Sequence, residues 1–559
     1  MSVRSSVEPA ATAVIRAEPD AYNMAKERLM GRQAAGHGFL RAAVQARGDG
    51  PIYGLANYAA AVQGFGHLVS GIDPQARVEW LPFDQLSRIG EVGVLYLADV
   101  TLAQHARLRL RAGVGAFSLC GVTHTTASGG AMDEIVNILR EPVMPWDALV
   151  CTSSAVVETV RRVHEAEADY LRWRHGAEIR LELPQLPIVP LGVHCADFEI
   201  SPDARAVARE ALALSADTVT ALFVGRLVFH AKAHPFALYR GLQAAAERTG
   251  RPVALLMCGW APNDPVAEAF ATGAAQFAPD VKVLFVEGRD LILRDQAWAA
   301  ADIFVSLADN IQETFGLTPI EAMAAGLPVV VTDWNGYKDT VRQGVDGYRV
   351  RTWTPGPGMG TPLARAHEAF GIDYDRYCWA AAATTAIDLD DLADVLSGLV
   401  ENADLRRRLG DAGRRRAREL YDWPVVYRQY QDLWGDLNAR RRAAIADPAT
   451  LDRLKAAPRA GASRLDPYYA FGHYPTAQLG AATRLSLAPG ATLETLRATL
   501  AHPLFGELPA AQGYLEALYA LIEPADLTLA DATTRLKSNL PAIARAAGIL
   551  AKMGLVRLG

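Results

Sequence analysis

Short apolar runs alternate with longer helical patterns through much of this chain, and that alternation restricts the fold more than any other feature of the sequence. Because strands separated by helices at such spacing pair side by side through right-handed crossovers, the pattern predicts parallel sheets. A first series of strand-like runs lies at residues 13–16, 51–55, 78–81, 94–97, 116–122 and 148–151. A second series lies at residues 219–225, 254–259, 281–286, 303–307 and 329–333. The sequence therefore predicts two α/β domains, each built on a parallel sheet.

Two carboxylates, Glu313 and Glu321, stand eight positions apart between the last two of these runs. The segment reads Glu-Thr-Phe-Gly-Leu-Thr-Pro-Ile-Glu, and Gly326 with Pro328 supplies an ordinary helix stop behind it. The order of elements is thus strand, loop, helix, strand. In an open α/β sheet, ligands bind beyond the carboxyl ends of the strands. We expect Glu313 on that rim and Glu321 about one turn into the helix that follows.

The residue types in this segment suit a sugar nucleotide. An ionised carboxylate accepts two or more hydrogen bonds and can hold a vicinal diol, so two carboxylates can hold two sugars, for example a hexose and a ribose. Backbone N–H groups at the start of a helix favour phosphate. The residues that would present them are Phe315, Gly316, Leu317 and Thr318. Each part also has a simpler interpretation, because Thr318 and Glu321 fit a capping box and Glu313 alone fits a solvated loop acid.

Residues 313–321 resemble the E-x7-E motif of the retaining glycosyltransferases of family 4 (group 1), and the resemblance covers roughly the first three quarters of the chain. Those enzymes have the GT-B fold, in which two Rossmann-like domains face each other across a cleft. The resemblance implies a retaining transferase of the hexosyltransferase class that uses a nucleotide-diphosphate sugar of the UDP or GDP type. It places Glu313 on the hydroxyls of the donor sugar and Glu321 on the ribose. It implies no protein nucleophile.

Gly225 and Arg226 end the first strand of the second series, and Lys232 stands six positions after the arginine. A planar cation at the edge of a sheet can clamp a diphosphate. The resembled family often has such a pair one residue closer together, and the alternative is that both are surface cations. With the helix start at Gly316, these cations would stabilise charge on the leaving diphosphate, so we expect neither a metal nor another cofactor. The Asp-x-Asp strings at 373–375 and 388–390 follow no strand-like run.

His124 follows a strand end in the first half, within Gly-Val-Thr-His-Thr-Thr-Ala-Ser. The resembled family carries a histidine at this place, which implies a hydrogen bond to a hydroxyl of the donor sugar, with the ring oriented by a backbone carbonyl. A polar helix cap is the alternative. Gly36 and Gly38 belong to a glycine-rich stretch, residues 30–38, that leads into a helix. Its backbone could approach phosphate or the donor sugar, and a plain loop is the alternative.

Composition excludes several classes of protein. The 559 residues contain 62 acidic and 56 basic side chains, and the net charge of -6 argues against nucleic-acid binding by the whole chain. No uncharged apolar run is long enough to span a membrane, and the first residues lack the apolar core of a secretory signal. The five scattered cysteines include no Cys-x-x-Cys pair. We therefore expect free thiols, a cytoplasmic protein and no zinc site.

The domain plan follows from these patterns. We expect an N-terminal, acceptor-side Rossmann-like domain at residues 1–195, closed by the apolar stretch 188–193. A donor-nucleotide domain with closing helices is expected at 196–445, followed by a mainly helical extension at 446–559 that faintly resembles a winged helix. The nearly balanced charge of the extension favours a packing or homo-oligomerising module over DNA binding, and recruitment of the acceptor is the alternative.

Two further patterns bear on the cleft and on the surface. The Pro- and Gly-rich residues 352–360 predict a loop that covers the cleft. The arginine triplets at 406–408, 414–416 and 440–442 predict a solvated helix surface, with peripheral contact to a membrane as the minor alternative. The aromatic residues between positions 421 and 434 are expected to pack the last helix of the donor domain onto the two domains.

The sequence leaves the acceptor open among a saccharide, a lipid-linked molecule and a protein. Two other functions also stay open. One is a GT-B module that binds or senses a sugar nucleotide without turnover, and the other is a different GT-B enzyme such as a sugar-nucleotide epimerase. The presence of Glu313, Arg226 and His124 together favours the transferase.

Overall fold

The computed structural model describes residues 11–24, 31–176, 180–229, 232–459, 461, 464–506, 508 and 510–559. The chain divides into two compact units, Met1–Gly461 and Ala462–Gly559. The expected border at residues 195/196 lies inside the first unit. The expected border at 445/446 falls at the end of a long helix, and the residues that follow this helix up to Gly461 also belong to the first unit.

The first sheet of the first unit lies in its N-terminal half. Its strands are β1 (Val14–Arg16), β2 (Ile52–Ala56), β3 (Val78–Pro82), β4 (Val94–Tyr96), β5 (Ser118–Val122) and β6 (Ala148–Val150). The accompanying helices are α1 (Pro19–Tyr22), α2 (Gly31–Ala46), α3 (Ala59–Ile72), α4 (Ile89–Val92), α5 (Leu102–Arg109), α6 (Gly129–Asn137) and α7 (Ser154–His175). All pairings are parallel, in the order β3-β2-β1-β4-β5-β6.

Both faces of this sheet are covered, which explains its continuous apolar strands. The neighbouring residues Val14 and Ile15 belong to different apolar clusters, since successive side chains of a strand point to opposite faces. Strands β4, β5 and β6 are buried along their whole length. The strand-like run at 78–81 reads as a buried strand from its apolar residues, but β3 is the edge strand of the sheet and Trp80 is 37% exposed.

The second sheet repeats this construction. Its strands are β7 (Val219–Val224), β8 (Val253–Gly259), β9 (Val281–Glu287), β10 (Ile303–Ser306), β11 (Val329–Thr332) and β12 (Gly347–Val350). The helices around it are α8 (Pro202–Ala211), α9 (Pro235–Thr249), α10 (Asp264–Phe277), α11 (Leu291–Ala300), α12 (Leu317–Ala325) and α13 (Tyr337–Thr340). The order is β12-β11-β10-β7-β8-β9, again parallel throughout. The predicted fold class, two Rossmann-like domains of the GT-B type, is confirmed.

After β12 the chain leaves the second sheet and forms a separate segment. Strands β13 (Thr352–Trp353) and β14 (Ala386–Ile387) pair antiparallel at its base. Helices α14 (Thr361–Glu368) and α15 (Tyr374–Ala382) lie between them. We call residues 352–387 the insert. The prediction of a loop at 352–360 holds for residues 354–360, whereas the two helices beyond them were not expected.

The chain then returns to the first domain. Helices α16 (Leu389–Glu401) and α17 (Ala403–Arg416) and a π-helical turn at Ala417–Tyr421 lead into α18 (Trp423–Ala446). The aromatic face of α18 is buried against the first domain, with the ring centroids of Phe39 and Tyr430 5.4 Å apart and those of Tyr96 and Trp434 6.1 Å apart. The expected packing of the aromatic residues is confirmed. Helix α19 (Pro448–Lys455) follows, and its Leu454 joins an apolar cluster of the first domain.

The expectation of a solvated surface is wrong for part of the arginine triplets. Arg441 is 8% exposed and donates to the carbonyls of residues 115 and 116 in the first domain. Arg414 donates to the carbonyl at the end of α12, and Arg416 to the two carbonyls at the end of α13. These guanidinium groups satisfy backbone acceptors of neighbouring elements, a structural use that a charge pattern alone does not reveal.

The second unit has its own apolar core and a small sheet. Its helices are α20 (Pro467–Ala470), α21 (Leu493–Leu500), α22 (Gln512–Ile522), α23 (Leu529–Arg535) and α24 (Leu540–Lys552). Strands β15 (Arg484–Leu487), β16 (Leu527–Thr528) and β17 (Val556–Leu558) form an antiparallel sheet in the order β16-β15-β17. Leu485, Leu518 and Ile543 are fully buried in the core. The mainly helical character is confirmed, and the likeness to a winged helix stays a prediction.

Two general properties complete the description. All five cysteines are buried and none forms a disulfide, as expected. Across the described ranges, no helix combines the length and the apolar character needed to cross a membrane.

Candidate active site

Glu313 and Lys232 meet at the carboxyl edge of the second sheet, with Glu313 on the loop that leaves β10. The Lys232 Nζ and Glu313 Oε2 atoms are 3.6 Å apart, and both side chains remain partly exposed. The other carboxylate oxygen, Oε1, accepts from the backbone N–H groups of Thr314 and Phe315 at 3.2 and 3.4 Å. A half-exposed pair of this kind stabilises a fold by at most ~1 kcal/mol. Lys232 can therefore exchange this carboxylate for a ligand at little cost.

Helix α12 begins without a side-chain cap, and Gly316 sets the geometry of that start. Gly316 is the N-cap residue and has φ +86°, a backbone conformation that residues with a side chain rarely adopt. A Cβ atom there would lie 2.2 Å from Cε1 of Tyr337, so the ring occupies the space that a side chain would need. Thr318 lies inside the helix, one residue after Leu317, and cannot be the N-cap. The capping-box interpretation is therefore excluded, and the N–H groups of the first turn remain available for an anion.

Glu321 lies one turn into α12, as expected, and is half-buried. Burial raises the pKa of its carboxyl to about 7, and the positive charge of Arg294 opposes this rise. The group thus stands near its midpoint of titration at neutral pH. Hydroxyls of a ligand that donate to this carboxylate would favour its ionised form.

Arg226 follows the end of β7 at the same edge. It is half-buried, and burial lowers the pKa of its guanidinium, while Asp375 and Tyr374 of the insert act in the opposite direction. No motif in the sequence predicts that these two insert residues lie near Arg226. The ends of β7 and β8 are tightly packed here. A Cβ atom at Gly259 would lie only 1.8 Å from the Gly225 carbonyl oxygen, so there is no room for a side chain.

The first domain contributes His124. Its backbone carbonyl accepts from the Thr314 hydroxyl at 3.0 Å, which brings the loop of Glu313 against the loop after β5. Burial lowers the pKa of the His124 ring to about 4, although the Asp99 charge and a hydrogen bond to the Ala98 carbonyl raise it. The imidazole is therefore neutral at pH 7 and can donate one hydrogen bond and accept another. The Ala98 carbonyl is thus near enough to orient the ring, and the contact of the ring with a donor sugar stays a prediction.

A second contact joins the two domains beside this one. The Ser153 hydroxyl, at the start of α7, donates to the Thr314 carbonyl at 2.8 Å. The backbone N–H and hydroxyl of Ser154 donate to the two carboxylate oxygens of Asp339 at 2.6 and 2.7 Å. Both partners in the second domain flank the start of α12. The cleft is therefore bridged next to the candidate site.

Gly36 and Gly38 have a different position from the one expected. Both lie inside helix α2, where a Cβ atom at Gly36 would be 2.1 Å from the Ala21 carbonyl oxygen and one at Gly38 would be 2.3 Å from the Trp423 indole nitrogen. The loop interpretation is wrong for residues 31–38, and Met30 lies outside the described residues. These two glycines allow close packing, and nothing in their surroundings requires a ligand.

The structure thus brings together Glu313, Lys232, His124 and the start of α12, with Arg226 and Glu321 on the same side of the second sheet. The side chains of Phe315 and Leu317 pack against the core, and the Phe315 N–H already donates to Glu313, so the backbone N–H of Leu317 is the one of the two that could serve a ligand. Among the described residues, no cluster of three His, Cys, Asp or Glu side chains is arranged to hold a metal ion. Independence from metal remains a prediction.

Comparisons with known proteins bear on the family and the fold of the chain around this site. Residues 218–356, which contain β7 to β12, match the family model described as glycosyl transferases group 1. The comparison supports a group 1 glycosyltransferase domain in this part of the chain. Alpha-maltose-1-phosphate synthase of Mycolicibacterium smegmatis is 26% identical over 317 residues, 56% of this chain and 68% of that protein.

Two other relatives match this chain over only about half of their own length. D-inositol 3-phosphate glycosyltransferase of Actinosynnema mirum is 30% identical over 236 residues, 38% of this chain and 53% of that protein. An MMP alpha-(1->4)-mannosyltransferase of Mycolicibacterium hassiacum is 28% identical over 248 residues, 44% of this chain and 47% of that protein. A crystal structure of Anabaena HepE in complex with UDP covers 76% of this chain and 100% of its own at 15% identity, with a TM-score of 0.49.

Proposed function

We propose that this protein transfers a sugar, with retention of configuration, from a nucleotide-diphosphate sugar to an acceptor. The observation that carries the proposal is the 3.6 Å pair of Lys232 and Glu313 beside the uncapped start of α12. A cation, a carboxylate and a set of backbone N–H groups then face one ligand from one sheet edge. A sugar diphosphate offers each of them a partner, since its phosphates take the cation and the N–H groups and its hydroxyls take the carboxylate.

Each residue has a distinct task in this proposal. Arg226, Lys232 and the start of α12 bind the diphosphate and stabilise the negative charge that grows on it as the bond to the sugar breaks. Glu313 holds hydroxyls of the donor sugar, and Glu321 holds the ribose. The neutral ring of His124 positions the sugar from the side of the first domain. The cations neutralise the diphosphate, so the proposal includes no metal.

The relatives named above support a transferase of this type, since the activities in their names are those of glycosyltransferases or of a sugar-phosphate synthase. They differ among themselves in what they act on, and each matches only part of this chain.

A titration with nucleotide diphosphates tests the proposal. Isothermal titration of the 559-residue chain with UDP and with GDP should show binding of at least one of them. Arg226→Ala should weaken this binding at least about tenfold, because a charge-assisted contact to phosphate is lost. The matched control is Arg248→Ala, an arginine on α9 whose partner is Asp394. The proposal fails if neither nucleotide binds or if Arg226→Ala binds like the control.

A further inference from the structure

A pocket of about 420 Å3 lies between the insert, the start of α9 and the loop after β10. Its volume falls in the range of small-molecule sites, roughly 300–1,000 Å3. The apolar part of its lining includes Phe229, Phe236, Trp379 and Ile387, and the polar part includes Asp309 and His234. None of the residues assigned above to the sugar nucleotide lines it. The transfer reaction as proposed therefore leaves this pocket without a function.

Asp309 is the unusual member of the lining. It is 4% exposed, and its Oδ2 atom accepts a hydrogen bond from the backbone N–H of His234 at 3.2 Å. Its Oδ1 atom is buried and accepts no hydrogen bond from the residues that the structure describes. Burial accordingly raises the pKa of this carboxyl to about 7. A buried carboxyl oxygen without a donor costs free energy, and a ligand that supplied a donor would recover it.

His234 does not provide the missing positive charge. Its Nδ1 atom accepts the Phe236 N–H at 3.3 Å, so the proton of the neutral ring is on Nε2. Burial lowers the pKa of this ring, which keeps it neutral at pH 7. The aromatic rings in the wall are large and incompletely covered, with Phe236 38% and Trp379 45% exposed. Faces of such rings attract cations.

We infer that this pocket binds a small aromatic ammonium compound, whose amine pairs with Asp309 and whose ring packs against Phe236 and Trp379. The carboxylate and the aromatic walls both select a cation over a neutral or anionic group. The site is separate from the transfer chemistry but adjacent to it. Asn310, the next residue after Asp309, donates to the Lys232 carbonyl at 2.6 Å.

The probe for this inference is 2-phenylethylamine, with 2-phenylethanol as the neutral compound of the same shape. Both are titrated into the 559-residue chain by saturation-transfer NMR at about pH 8, where Asp309 is mostly ionised. The amine should bind at least tenfold more tightly than the alcohol. Equal affinity of the two compounds, or no binding of the amine at millimolar concentration, overturns the inference.

Three variants locate the binding. Asp309→Asn keeps the shape of the side chain and should bring the affinity for the amine down to that for the alcohol. Asp217→Asn, at an exposed residue outside the pocket lining, should bind the amine like the unmodified protein. Ala383→Phe, at an exposed position of the lining, should fill the pocket and weaken both compounds. If Asp309→Asn binds the amine as tightly as Asp217→Asn does, Asp309 is not the partner and the inference is wrong.

Discussion

Lys232 Nζ and Glu313 Oε2 lie 3.6 Å apart although 81 positions of sequence separate the two residues. The pair forms because β7 and β10 are neighbours in the second sheet, so the loops after both strands leave from the same edge. Glu313 is also held by two backbone N–H groups, whereas Lys232 has this one carboxylate as its ion-pair partner among the described residues. Lys232 is therefore the partner that can turn to an entering diphosphate.

Glu313→Gln should lower turnover without weakening the binding of the nucleotide diphosphate. The amide cannot accept hydrogen bonds from the donor sugar as the carboxylate does, so we expect kcat to fall by about 10²–10³. Affinity for the bare nucleotide diphosphate should stay the same or rise slightly, because Lys232 loses its competing carboxylate. Steady-state kinetics and calorimetry measure the two quantities, with Glu199→Gln on an exposed ion pair as the control. Equal losses in turnover and in nucleotide binding would contradict the assignment of Glu313.

Glu321→Gln should change the pH dependence of stability. The folded-state pKa of Glu321 is raised to about 7 from 4.5. Between these values the folded state keeps a proton that the unfolded state has released, so stability falls as the pH rises through this window. Gln cannot ionise and avoids this loss, which is at most roughly 3 kcal/mol.

Calorimetric melting at two pH values checks this prediction. The variant should melt a few degrees above the unmodified protein at about pH 8 and at the same temperature at about pH 4. Because the rest of the chain is unchanged, other titrating groups cancel in the comparison. A shift in Tm that is equal at both pH values would show that Glu321 does not titrate as described.

Asp339→Asn should loosen the contact between the two domains. Asp339 accepts from both the N–H and the hydroxyl of Ser154, and the amide can accept at only one of these positions. We expect small-angle scattering to show a larger radius of gyration without nucleotide and a decrease toward the unmodified value with saturating nucleotide. Asp404→Asn, which removes an exposed pair within α17, is the control. An unchanged radius in the first variant would mean that other contacts set the closure.

The second unit should be dispensable for binding of the nucleotide. A chain ending at Gly461 keeps α19, whose Leu454 packs with Trp146 and Met144, whereas a chain ending at residue 445 exposes this apolar cluster. We expect the longer form to bind nucleotide diphosphate like the 559-residue chain and the shorter form to melt at a lower temperature. Light scattering on the same samples reports any change in oligomeric state. Loss of nucleotide binding in a folded 1–461 chain would assign the second unit to the donor site.

The sequence predicted those parts of the structure that depend on residues close together along the chain. The strand runs of both sheets except β12, the helix stop at Gly326 and the position of Glu321 follow from patterns within a few turns of chain. The contacts of Gly38 with Trp423 could not be predicted, because 385 positions separate them and the helix that carries Trp423 returns from the second domain. Residues 188–193 looked strand-like, yet Pro187 and Pro190 lack N–H groups and leave only isolated bridges there.

The surroundings of the site were harder to predict for a similar reason. Asp309 belongs to no motif, and its importance arises from burial and from an oxygen that has no donor among the described residues, which only the packed structure reveals. Tyr374 and Asp375 lie in the insert and act electrostatically on Arg226, whereas the sequence predicted only a loop at residues 352–360 of the insert. Helices α14 and α15 are short and largely exposed, so their apolar pattern is weak.

Consumption of the donor decides whether the edge of the second sheet is a transferase site. The 559-residue chain is incubated with EDTA and a set of α-linked UDP- and GDP-hexoses, and the anomeric proton is followed by NMR from the first minutes. We predict that at least one donor is consumed, that the α anomer of the sugar appears before mutarotation, and that Glu313→Gln consumes the same donor far more slowly. First appearance of the β anomer, or no consumption of any donor by folded protein with or without added Mg²⁺, would contradict a retaining nucleotide-sugar transferase.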